Sequence, residues 1–112
     1  MITDYRFGQI TIDGRTYDAD VIVYADRVDD HWWRKEGHRL SLEDLEDVIR
    51  TRPDTLVVGT GYFGRLKLDP DLRETLARKG ICLVADLTGK ATEEFNRLRE
   101  TGKVVAALHL TC

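Results

Sequence analysis

The chain has 112 residues, with 17 Lys+Arg against 20 Asp+Glu and a formal net charge of −3. That length holds one hydrophobic core, and 42% hydrophobic with 33% charged residues is globular composition, which sets disorder aside. Without a basic excess nucleic acid is not the expected partner, and no apolar run approaches the about 20 residues that cross a bilayer.

The first 25 residues read as a β-hairpin. Phe7, Ile10 and Ile12 lead to Asp13-Gly14, a pair suited to a tight turn with positive φ, and Thr16 to Tyr24 is the return run. Val21-Ile22-Val23-Tyr24 is apolar on both faces and should be covered on both sides. From Asp26 to Arg39 no period fits, which predicts a charged loop with one short strand. Ser41 opens the first helix, with Asp44 placed to reach back to it and Leu40 and Leu45 spaced as a hydrophobic staple. Leu42, Leu45, Val48 and Ile49 form its apolar stripe, and Pro53 ends it.

Thr55-Leu56-Val57-Val58 is a short buried strand ending in glycine. A second helix is expected from Asp69 as N-cap, with Pro70 at the first helical position, to Lys79-Gly80. Ile81 to Ala85 is a buried strand. A third helix runs from Thr88 to Gly102 and buries Ala91, Phe95 and Leu98, and Val104 to Leu110 is the closing strand. Strand, helix, strand, helix, strand implies parallel pairing with right-handed crossovers. The expected architecture is a single α/β domain over 1–112, three-layered, with a mixed central sheet, an N-terminal β-hairpin and about three helices. The first residues lack the apolar stretch of a secretory signal, and Cys82 and Cys112 make no disulfide framework, so a reducing, cytoplasmic setting is expected.

Gly59-Thr60-Gly61-Tyr62-Phe63-Gly64 is a literal G-x-G-x-x-G after a strand, with Asp86 at the end of the next strand. The dinucleotide motif must open a helix so that the helix N-terminus faces the pyrophosphate. Here Arg65 to Leu68 alternates like an extended segment, so no nicotinamide cofactor is expected. The amides of a glycine turn can still form a nest for an anion. His109-Leu110-Thr111-Cys112 supplies half of a zinc set; His31 and His38 could join from the loop only if folding brought them there, and no metal is expected. On a regular strand His109 and Cys112 point to opposite faces, which argues against a thiol–imidazole pair. Ser41 is the only serine and reads as a helix cap, so serine-hydrolase chemistry is excluded.

His31 to His38 is the most unusual stretch, because Trp32, Trp33 and Arg34 stand together in a charged loop. Aromatics beside arginine suit a protein interface, and a tryptophan there can equally plug the edge of the core.

These residues resemble a known family. Phe7-Gly8, Ile12-Asp13-Gly14, Tyr17, Asp20-Val21, Trp33-Arg34, His38, Gly59-Thr60-Gly61, Thr88, Ala91, Asn96, Gly102 and His109-x-Thr111-Cys112 recur in one order. The set is similar to that of small uncharacterised domains first described structurally from a methanogen protein. Animal relatives include an adipogenesis-associated domain protein and a mitochondrial complex I assembly factor. The resemblance implies a three-layer α/β fold with an added β-element and no settled enzymatic activity. Gly89-Lys90 stands where many relatives carry an acidic residue, and Phe95 where many carry tyrosine. A function that used the tyrosine hydroxyl would be missing here.

No catalytic constellation is complete, so the expected function is a non-catalytic binding or assembly module with an unknown protein partner. Trp32 and Trp33 are its candidate interface residues. The alternative is a small-molecule or anion site, open to enzymatic use, beyond the carboxyl edge of the sheet. Its candidate residues are Arg34, His38, Gly59, Thr60, Gly61, His109 and Thr111. Arg34 and the Gly59-Thr60-Gly61 turn are expected on one side of a shared cleft, with His109 nearby and Arg34 exposed.

Overall fold

Alternating apolar residues send the central strands' side chains to two opposite faces, and both faces are buried. In a computed structural model describing all 112 residues, five strands form a mixed sheet in the order β5-β4-β10-β7-β9. These are β4 (Val21–Val23), β5 (Val28–Asp29), β7 (Thr55–Thr60), β9 (Cys82–Asp86) and β10 (Val104–His109). β7 is parallel to both β10 and β9, and β4 is antiparallel to β10.

Leu56 and Val58 of β7 face one cluster, with Leu45 and Val48 from the first helical segment and Leu72 and Leu76 from α2 (Leu72–Arg78). Val57 faces the other, with Ala91 and Phe95 of α3 (Thr88–Leu98) and Ile10 and Ile12 of the N-terminal strands. Helices, sheet, and helix with meander are the three layers. Truncating a residue such as Leu56, fully buried between them, costs about 2–5 kcal/mol.

The N-terminal hairpin is there and is extended into a three-stranded meander: β1 (Ile2–Arg6), β2 (Gln9–Ile12) and β3 (Arg15–Tyr17). Asp13 and Gly14 turn it with φ of 49° and 81°, the two positive values of a type I′ turn. The predicted return run breaks in two, because β3 ends at Tyr17 and β4 starts at Val21 in another sheet. The break falls at Asp20, whose carboxylate turns inward to accept from the Leu110 amide.

The third helix ends at Leu98, short of the expected Gly102, and other boundaries differ from expectation for local reasons. The first helix is a 3-10 turn, Leu42–Leu45, followed by α1 (Glu46–Arg50); the Ser41 amide donates to the Asp44 carboxylate at 2.9 Å. α2 begins at Leu72, since the Asp69 carboxylate is held by Arg39 Nε at 2.6 Å and is not free to cap. The charged loop contributes two short strands, β5 and β6 (Arg39–Leu40), the latter parallel to β8 (Lys67–Leu68).

Candidate functional site

The carboxyl ends of β7, β9 and β10 lie side by side, and four segments converge on them. β10 ends at His109, in register with Thr60 at the end of β7. The residue preceding β4, Asp20, comes from the far side of β10. Its carboxylate Oδ2 lies 2.8 Å from His109 Nδ1 and 2.9 Å from Arg34 Nη2, while Oδ1 accepts from the Leu110 amide at 2.8 Å. Burial alone would raise the Asp20 carboxyl. Hydrogen bonds from His109 and the Leu110 amide, the His109 charge and the Arg34 donor outweigh it and hold the carboxyl below its usual value.

Arg34 arrives from the irregular loop. Its guanidinium donates to the Gly37 carbonyl through both Nε and Nη2 and stacks on the Trp32 ring, 4.6 Å from the centroid. The Arg34 side chain is 6% exposed, not the open cation expected from sequence. The reason is that the guanidinium is enclosed by Asp20, the Gly37 carbonyl and the Trp32 ring. Trp32 is itself buried and donates Nε1–H to the Asp44 carbonyl, whereas Trp33 is 76% exposed. His38, on the exposed side of the loop, sets its ring edge-on to that of His109 with centroids 5.8 Å apart. The third histidine, His31, lies apart from this cluster, paired with Asp30 at 2.7 Å.

The glycine turn is committed to the fold. Gly59 lies inside β7, where an added Cβ would stand 2.7 Å from Thr88 Oγ1 and 2.9 Å from Leu108 Cδ2. Gly61, at φ 109°, packs against the backbone of Cys112. Its amide donates to the Thr88 hydroxyl at 2.8 Å, which in turn donates to the His109 carbonyl at 2.6 Å. The Tyr62 amide donates to the Thr111 carbonyl, the Arg65 amide to that of Cys112, and the Thr60 hydroxyl to that of Asp86. The Gly61 amide is thus spent on Thr88, and those of Tyr62 and Arg65 on Thr111 and Cys112. Arg34 and His38 reach His109 from the loop, and the glycine turn reaches it through Thr88. A surface groove of about 670 Å³ lies elsewhere, between the first helical segment and α2, lined by Ser41, Glu46, Asp69 and Thr75 among others.

Three features of this region are not among the site residues expected from sequence. Asp20 is one: it stands in the resemblance set without a role, and its signal was an acid interrupting an extended run. The second is Tyr5, whose hydroxyl donates to the Leu110 carbonyl and whose pKa burial pushes up to about 12. The third is an exposed aromatic cluster. Phe7 is carried there by the β1–β2 turn, where the Gly8 amide donates to the Leu110 carbonyl. Its ring meets Tyr62 edge-on at 5.8 Å, and Tyr62 meets Phe63 at 5.1 Å. Phe63 is 66% exposed, Phe7 and Tyr62 are half exposed, and exposed Leu87 follows β9 beside Gly64.

Residues 2–109 match the family described as "Protein of unknown function (DUF498/DUF598)". A conserved hypothetical protein from Pyrococcus horikoshii OT3 is 28% identical with a TM-score of 0.84, over 100% of this chain and 99% of that one. The methanogen protein MT938 has the same identity and TM-score over 100% and 98% of the two chains. A protein from Bartonella henselae described as an outer membrane protein is 25% identical with a TM-score of 0.80, over 99% and 94%. No helix of this chain is long and apolar enough to cross a membrane.

Proposed function

We propose that this chain, which belongs to the DUF498/DUF598 family of proteins of unknown function, is a non-catalytic protein-binding or assembly module. It works from the cytoplasm and meets its partner with the carboxyl edge of its sheet. The observation that carries this reading is the contiguous exposed surface of Phe7, Tyr62, Phe63 and Leu87. Folding gains nothing from leaving three aromatic rings and a leucine in water, while interfaces are enriched in aromatics and anchored by them. The surface has a rigid base, since Tyr62 and Phe63 follow a strand end held by the Thr111 and Cys112 carbonyls. Trp33 is a further exposed aromatic on the loop, and Trp32, packed beneath Arg34, supports that loop from inside.

The test is a photo-crosslinking amino acid at Phe63, expressed in the native host. A defined crosslinked protein that disappears when the probe is moved to Glu100, beyond α3, is the expected result; equal labelling from both positions overturns the reading. A small anionic ligand at the same edge is a second reading. The buried, unpartnered nitrogens of Arg34 and His109 favour it.

A further inference from the structure

The Arg34 and His109 side chains are each 6% exposed, and each leaves one nitrogen, Arg34 Nη1 and His109 Nε2, buried without a hydrogen-bond partner. A buried polar atom left unpaired is costly and rare, and two in one cluster call for a group that satisfies both. Arg34 Nη2 and His109 Nδ1 are 3.2 Å apart, so the two side chains that carry the free nitrogens are in direct contact.

The hydrogen bonds already made define what that ligand must offer. An ionised carboxylate only accepts, so His109 Nδ1 directs its proton at Asp20 Oδ2, and Arg34 Nη2 directs one at the same oxygen. In its neutral form the imidazole so oriented carries a bare lone pair at Nε2, and Arg34 presents N–H at Nη1. The complement is a group carrying an O–H and an acceptor oxygen: a carboxylic acid or the monoanionic form of a phosphate. If the shared proton passes to Nε2, the pair becomes an imidazolium facing an ionised oxygen, with the same atoms and total charge. Asp20 and Arg34 cancel one another, so the imidazolium formed in this way balances the ligand's negative oxygen.

We propose that Arg34 and His109 form the seat of a small oxyacid, a carboxylate or phosphate group, held by Arg34 Nη1 and by a proton shared with His109 Nε2. This rests on the second reading above and not on the aromatic surface. Asp20 is a positioning residue, fixing the tautomer of one ligand-binding group and the orientation of the other. His38 is the exposed neighbour of this pair, its ring set edge-on to that of His109.

The experiment is nitrogen-15 NMR of the imidazoles during titration with sodium phosphate, and separately with sodium acetate, at constant ionic strength against sodium chloride. The His109 Nε2 resonance is expected to move saturably with phosphate, acetate or both, and the arm that saturates identifies the oxyacid. Arg34→Lys and His109→Gln should each weaken binding about tenfold or more, and His38→Ala should leave it within about twofold. Saturable backbone-amide shifts, read from the same nitrogen-15 sample and confined to the surroundings of exposed Arg65 and Lys67, would overturn this seat while leaving an anion-binding reading in place. No saturable response to either salt would remove both. Should the variants fail to fold, wild-type crystals grown in phosphate decide the question. Tetrahedral density touching Nη1 and Nε2 supports the seat, and a water there alone overturns it.

Discussion

Two neighbouring regions at the carboxyl edge invert the usual division of a protein into apolar inside and polar outside. Beneath the loop, a partly buried aspartate joins a buried arginine and a buried histidine side chain. Beyond the strand ends, Phe7, Tyr62, Phe63 and Leu87 stand in water. Both regions hang on the same backbone, since His109 closes β10 and the residues after it hold the turn that carries Tyr62 and Phe63. The contrast separates two kinds of cost. The buried cluster is tied into the fold and should unfold the protein when broken, whereas the aromatic surface should be removable without loss of stability.

The largest effect should come from Asp20→Ala, which strands the Arg34 guanidinium and the Leu110 amide. Breaking a buried ion pair from one side costs about 3–5 kcal/mol, and urea unfolding should show a loss of that size. Arg34→Ala should fall in the same range, with the Trp32 stacking lost as well. A loss below about 1 kcal/mol in both variants would return this cluster to the class of surface ion pairs. Gly61→Ala comes next. Its φ of 109° suits glycine, and the added methyl would meet the Cys112 backbone, so about 1–3 kcal/mol of strain is expected from the same measurement.

Acid sharpens the comparison further. The Asp20 carboxyl is depressed in the folded state, so the stability it contributes is present above the unfolded carboxyl value near 3.8 and is lost as pH falls through the lower, folded value. For one proton the slope approaches about 1.4 kcal/mol per pH unit. Asp20→Asn should flatten the acid limb relative to wild type between those two values. Parallel acid limbs would assign the dependence to other carboxylates. The smallest effect belongs to Tyr62→Ser with Phe63→Ser, expected within about 0.5 kcal/mol of wild type by urea unfolding.

The parallel strands and three helices were legible because apolar runs bounded by Gly and Pro leave little choice of element. Val21 to Val23 read as covered on both faces, and those residues are buried. What stayed hidden depends on partners distant in sequence. Asp20 and His109 are 89 positions apart, and nothing local marks an aspartate as the acceptor for a histidine on another strand. Arg34 read as a surface cation because charged neighbours surround it, yet Trp32, two positions before it, carries it inward. The glycine turn was read correctly as a strand end that opens no helix. Its amides could not be assigned from sequence, because their acceptors are Thr88, Thr111 and Cys112. Phe7, Tyr62 and Phe63 belong to two turns that meet only when the meander docks on the sheet.

Recovery of bound proteins with the tagged chain from its native cells, comparing wild type with the Tyr62→Ser, Phe63→Ser double variant, tests the binding surface most directly. The account predicts equal amounts of folded tagged protein and depletion by about tenfold or more of one partner recovered in near-stoichiometric yield. Undiminished recovery of that partner with the double variant would contradict it.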